Sequence, residues 1–233
     1  MSTTGNFRKA LEEAVLERHC ANHPMTEKWA AGELSRNCLM GIAVEHWHWV
    51  KNASRWNFPV CSKAPRDVIA LQLENYLEEN DDHKPHMSII LHFAEVNGAD
   101  LDAVRRSPGL PTTRAWANWL IEVGKEQPWW CGIAASRVGT ESQSPKLYSK
   151  VLPALRDIYK YDEDEIEHFW LHSEVDVEHG ERGFETLIKH CTTREMQDMA
   201  VHYARESAYM RWFYFDGIYL HYEQGYDLRL PAQ

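Results

Sequence analysis

The stretch Leu171–Gly183, LHSEVDVEHGERG, sets two histidines and three acids within the eight residues from His172 to His179. Placed on a helix, Asp176 lies at about +40° from His172 and His179 at about −20°, while Glu174 and Glu178 point roughly the other way. One face therefore carries His172, Asp176 and His179. The two histidines stand roughly 10 Å apart along the axis, long for one tetrahedral ion but suited to two ions with Asp176 between them. Imidazole mixed with carboxylate favours iron or manganese over structural zinc. His168 falls on nearly the same face, so a polar stripe on a solvated helix would give the same pattern. The rest of the chain has to decide.

That chain has 233 residues, enough to bury a sizeable core as a single domain, 1–233. Apolar residues recur at helical spacing, as Phe7, Leu11, Val15 and Leu16 do in FRKALEEAVLERH, and strand-like alternation is nearly absent. Ser35 is placed to cap one helix, Pro65 to open another that runs to about Asn80, and Thr113 to lead a third. Breaks fall at His23-Pro24, Asn80–Asp82, Ser107–Pro111, Gln127-Pro128 and Tyr161-Asp162. The expected class is all-α, with seven or more helices in one domain.

Lys and Arg number 25 against 35 Asp and Glu, a net charge of −10 that argues against nucleic acid or an anionic membrane surface as partner. No run is apolar enough to span a bilayer, and the N-terminal residues lack an apolar leader. Five scattered cysteines without a CxxC pair indicate neither a disulfide framework nor a zinc ribbon, so a cytoplasmic, reducing setting is expected. Thirteen histidines raise the expectation of metal or acid–base chemistry without locating it.

A dinuclear site needs carboxylates from other helices. In ENYLEENDDHKPHM, residues 74–87, Pro85 argues that Glu79 closes one helix and His86 opens the next; Glu78, Asp81 and Asp82 compete for the same role. In CGIAASRVGTESQSP, residues 131–145, the small residues make a slim helix that lets a neighbouring backbone come close, with Glu141 the lone acid at its end. Arg137, one turn before Glu141, could hold a substrate carboxylate or simply pair with an acid. His48 sits between Trp47 and Trp49 as a pocket donor or a satisfied core histidine. Trp47, Trp129, Trp130, Tyr209 and Trp212 are candidate pocket walls.

Glu79 with His86, Glu141 in GTESQSP, and His172-x3-Asp176-x2-His179 together resemble the haem-oxygenase-like di-iron oxidases, a group within the wider pyrroloquinoline-quinone synthase and TenA-type superfamily. HPMTEKWAAGELS, EHWHWVKN and FDGIY extend the resemblance over most of the chain. It implies a seven-helix haem-oxygenase-like bundle without haem. It also implies two Fe(II) ions, the second labile, held by Glu79, His86, Glu141, His172, Asp176 and His179. Glu141 is the expected bridge, and Glu141, His172 and His179 take the catalytic role; His83 and His168 fall outside the pattern. O2 is the implied co-substrate and a small metabolite bearing a carboxylate, an amine or both the implied substrate, with Arg137, Lys150 and His48 as its binding residues. A homodimer is one expectation for assembly.

Members that form p-aminobenzoate are similar in length and in the ESQ.P segment. This chain departs from them in having Thr140 beside the metal glutamate and in placing Lys150 one residue short of their lysine. The competing expectations are a metal-free enzyme working by acid–base catalysis and a helical interaction protein without activity.

Overall fold

Caps and prolines set the helix boundaries. The Ser35 hydroxyl accepts the Cys38 N–H, the Asp100 carboxylate accepts from Asp102 and Ala103, and the Thr193 hydroxyl accepts from Met196. Each satisfies donors that a helix start leaves open. The computed structural model describes residues 3–80 and 85–229, and all regular structure among them is helical. The helices are α1 (Thr3–Leu16), α2 (Pro24–Ala30), α3 (Arg36–Val50), α4 (Ala53–Cys61), α5 (Arg66–Glu79), α6 (His86–Val96), α7 (Leu101–Arg106), α8 (Pro111–Glu126), α9 (Trp129–Ile133), α10 (Ser144–Asp157), α11 (Glu167–His190) and α12 (Arg194–Ile218).

These are more segments than the seven expected. The short α2, α7 and α9 arise where Pro24, Asp100 and Pro128 start a turn that soon ends or changes pitch. Pro65 caps α5 rather than sitting in its first turn, and α8 starts at Pro111, ahead of Thr113. His83, Asp81 and Asp82 lie outside the described residues. Among the described residues no helix is long and apolar enough to cross a membrane. All five cysteines are free.

The long α11 turns His168, Phe169, His172, Asp176, His179, Gly183, Phe184 and Leu187 inward and leaves Glu174 and Glu178 exposed, as the 3.6-residue period dictates. α12 presents the small stripe Ala200, Ala204, Ser207 and Ala208 to α1 and to the π-helical turn Ala134–Val138 that continues α9. The small residues of that turn do what slimness allows. A Cβ on Gly139 would lie 2.5 Å from Ser207 Cβ and 2.7 Å from the Ala204 carbonyl oxygen, and one on Gly183 would lie 2.6 Å from Arg137 Cβ. α11 and α12 can thus approach the 134–141 segment at backbone distance, which carries Arg137 and Glu141 into the interior.

Two apolar clusters hold the helices together. The larger surrounds Trp29, Phe93, Trp116 and Phe169; the second surrounds Phe7, Leu11, Ile133 and Leu187 beneath α1 and α12. A cavity of about 250 Å³ opens among the aromatic residues of the larger cluster.

Candidate metal centre

The C-terminal end of α5, the start of α6 and the middle of α11 meet at one wall of this cavity. Pro85 precedes α6, so the chain leaves α5 at Glu79 and re-enters helix at His86, with both side chains facing α11. Two groups of possible ligand atoms result, each with its atoms within 4.8 Å of one another: Glu79 with His86 and His172, and Glu79 with Asp176 and His179. Glu79 belongs to both. It takes the shared position expected of Glu141.

Hydrogen bonds fix how the imidazoles face. His172 Nδ1–H donates to the His168 carbonyl oxygen at 2.8 Å, which turns Nε2 towards Glu79 at 3.8 Å and His86 Nδ1 at 3.2 Å. His86 Nδ1 lies 2.8 Å from Glu79 Oε2. On the other side, His179 Nε2–H donates to Glu78 Oε2 at 2.8 Å, leaving Nδ1 at 3.6 Å from Asp176. Glu78, a competitor by sequence, thus orients a histidine rather than joining either group. Outer partners of this kind commonly set ring orientation where histidine binds a metal.

Glu141 stands beside the second group. Arg137, buried, binds its Oε1, and Arg137 Nε and Nη2 reach Gln72 Oε1 at 3.2 and 2.9 Å. The Arg137 side chain therefore pairs with an acid of the site, the simpler of its two expected roles. Glu141 Oε2 and His179 Nδ1 are both buried and lack a hydrogen-bond partner among the described residues. Buried polar atoms are rarely left so; a cation held by the second group would engage His179, whereas Glu141 falls outside both groups of possible ligand atoms. The donor set of carboxylates and imidazoles suits iron.

The electrostatics agree. Burial pushes the Glu79 carboxyl up, but hydrogen bonds from His172 and His86 hold it well below the usual carboxylate range. Burial lowers His172, yet Glu79 and Asp176 more than offset this and raise it to about 9. His179 is likewise raised to about 9, against burial, by Asp176, Glu141 and Glu78. Burial raises the Glu141 carboxyl against the pull of Arg137. Without a metal, protons thus occupy the space among these ligand atoms.

Other expected residues lie elsewhere. Lys150 falls on a flank of α10 away from the cavity, donating to the Ala21 carbonyl oxygen at 2.8 Å and to Glu27 at 2.5 Å. His48 is a satisfied core histidine, with Nε2 at 2.8 Å from Ser107 Oγ. Two residues along α3 is nearly the opposite face, and it is His46 that lines the cavity. Trp47, Trp129, Trp130, Tyr209 and Trp212 stand outside the lining, which Trp29, Trp49 and Trp116 provide instead.

His168 is buried against His172, ring centroids 4.2 Å apart, and also faces the cavity. Burial holds His168 well below its ordinary value and His46 down to about 3, so both stay neutral. Neither His46 nor Arg211, which lines the same cavity, stood out in the sequence. Their one signal is a polar residue at a position whose helical neighbours are core.

A family model described as iron-containing redox enzyme matches residues 41–212. The 4-aminobenzoate synthase of Nitrosomonas europaea is 25% identical over 230 residues, covering 94% of this chain and 93% of its own. The pyrroloquinoline-quinone synthase of Rhizobium meliloti is 28% identical over 229 residues, covering 94% and 89%. Among solved structures, a Shewanella denitrificans domain of unknown function with a haem-oxygenase-like fold superposes with a TM-score of 0.80 at 19% identity, over 100% of this chain and 99% of that one. A TenA homologue of Pseudomonas syringae gives 0.77 at 11% identity, covering 92% and 91%. The all-α architecture is therefore the haem-oxygenase-like fold, and the chain belongs to the haem-oxygenase-like family of iron-containing redox enzymes.

Proposed function

We propose that this protein is a non-haem di-iron oxidase or oxygenase that uses O2 to oxidise a small metabolite bearing a carboxylate, an amine or both. The observation that carries the reading is the pair of ligand groups sharing Glu79. Glu79, His86 and His172 would hold one iron; Glu79, Asp176 and His179 would hold the other, with Glu141 Oε2 beside it. Bound Fe(II) would supply the electrons that activate O2, the oxidant, a capacity that side chains alone lack.

The chain's own residues do the rest. Arg137 and Gln72 fix Glu141, Glu78 fixes the ring of His179, and the His168 carbonyl fixes that of His172. Trp29, Trp49, Trp116 and Phe169 give the cavity an apolar, aromatic wall alongside its polar groups. At about 250 Å³ the cavity lies just below the usual range for drug-sized ligands, which suits a small metabolite.

Anaerobic titration with Fe(II) tests this directly. About two irons per chain are expected, falling to about one in His86→Ala and in His179→Ala, and to near zero in Glu79→Ala, because that carboxylate serves both groups. The loaded protein should then consume O2. No iron uptake, or uptake indifferent to Glu79, rejects the reading.

A second reading, formation of 4-aminobenzoate, draws support from relatives of that name that align over nearly the whole chain. Against it stand Thr140 beside Glu141 and a Lys150 tied to Glu27 outside the cavity. Mass spectrometry of the iron-loaded protein after exposure to air separates the two, since only the second yields 4-aminobenzoate. Activity that survives complete chelation would instead favour acid–base catalysis without metal.

A further inference from the structure

Two guanidiniums are buried in the cavity wall, and among the described residues only one has an acid. Arg137 is paired with Glu141 and Gln72. Arg211, on α12, is 4% exposed and has no carboxylate within ion-pair distance among the described residues. Its Nη1 donates to the Thr140 carbonyl oxygen at 2.6 Å and its Nη2 to Ser144 Oγ at 3.3 Å, while its Nε is buried without a partner.

A guanidinium cannot escape this position by losing its proton. A buried charge without a counter-charge is costly, and an anion arriving through the cavity removes that cost. The neutral anchors also fix the plane of the guanidinium while using only part of its five donors, so a carboxylate can add charge-assisted hydrogen bonds to it.

We propose that Arg211 is the carboxylate-binding residue of this cavity, and that the substrate is a small monocarboxylate held by its acid end on α12. The body of such a molecule would run past Tyr148, whose ring centroid lies 6.3 Å from that of His172, towards the Glu79 group. Arg137 stays with Glu141 and takes no part in holding substrate. The inference rests on the oxidase reading for what happens next, but not for the binding itself.

The test therefore measures binding, by quenching of the cavity tryptophans in iron-loaded protein. Two acid–amide pairs serve as probes: benzoate with benzamide, and hexanoate with hexanamide. In the unmodified protein at least one acid should bind about tenfold or more tighter than its amide, the worth of a charge-assisted hydrogen bond. Arg211→Gln should erase that preference while leaving iron stoichiometry as it was. Arg211→Lys, which keeps the charge but not the fork, should retain only part of it and guards against a misfolded glutamine variant. Absence of any acid preference, or a preference that survives in Arg211→Gln because the acid sits on iron, overturns the proposal. Should the protein take up no iron, the same titration on metal-free protein still decides the role of Arg211, so the two readings fail separately.

Discussion

His172 and His179 show how a single residue's proton becomes a property of the site. Both are raised to about 9 from an ordinary 6.5, so both carry a proton at neutral pH when no metal is present. A metal needs their neutral forms. Binding must then release up to two protons, and affinity should rise with pH until about 9, at about tenfold per proton and pH unit. Titration with Mn(II), which avoids oxidation, at several pH values and in buffers of differing ionisation enthalpy checks this; an affinity flat from pH 6 to 8 would argue against these ligands. The sign reverses for metal-free stability. A raised histidine contributes fully below its unfolded value of 6.5 and loses its contribution as pH rises through 9, so the melting temperature of the metal-free protein should fall across that interval. Glu79, held low, adds stability above about 4.5 that is lost as pH falls through its folded value. Much of this wall was legible in the sequence, because Glu79, His86, His172, Asp176 and His179 are of ligand type at helical or helix-end spacing. Glu79's shared place was not, since it depends on where α5 lies against α11.

At the scale of elements, legibility followed local rules. The Glu79 helix end and the His86 helix start came from Pro85 and the acids before it, and the inward face of α11 came from its period. The cavity's other walls did not, because α3, α10 and α12 each bring one or two polar residues to it from faces that otherwise read as core. Arg211 is such a case: it continues the stripe of Ala204, Ser207 and Ala208, where a charge is out of place, but nothing in α12 alone says what it meets. Lys150 and His48 show the converse, with suitable chemistry on the wrong side of a helix. The π-helical turn Ala134–Val138 is the element on which placement of Glu141 depends, and turns of this kind are often found at functional sites. Gly139 lets it nest against α12, so Gly139→Ala should cost about 1–3 kcal/mol by overpacking, which lowers Tm by about 2–4 °C per kcal/mol in a chain of this size. Gly5→Ala, where nothing lies within 4 Å, should not lower Tm and serves as the control. Equal melting of the two variants by calorimetry would show that the close approach at Gly139 does not matter.

Across the whole molecule the helices are not held alike. α11 and α12 are seated by apolar clusters, whereas α5 buries only Val68, Gln72 and Asn75 and leaves Leu73 and Leu77 exposed. What ties α5 down is chiefly polar: Gln72 to Arg137, Asn75 to Arg182, Glu78 to His179, Glu79 to His86 and Asp67 to Lys189. Several of these contacts are exposed, and exposed pairs contribute little. An element with few buried apolar contacts sits at the low end of local stability, and this one carries the residue shared by both ligand groups. Metal binding should therefore stabilise the molecule unevenly. At a free metal concentration of 100 times Kd the gain is about 2.7 kcal/mol, and it should be concentrated where Glu79 crosses from α5 to α6 and α11. Amide hydrogen exchange with and without Mn(II) would read this as strong new protection over α5 and the first turn of α6, less over the middle of α11, and little over α1 or the outer half of α12. Protection spread evenly along the chain would mean that the metal-free protein already holds α5 as firmly as the rest, and protection absent from α5 would remove Glu79 from the centre of the site.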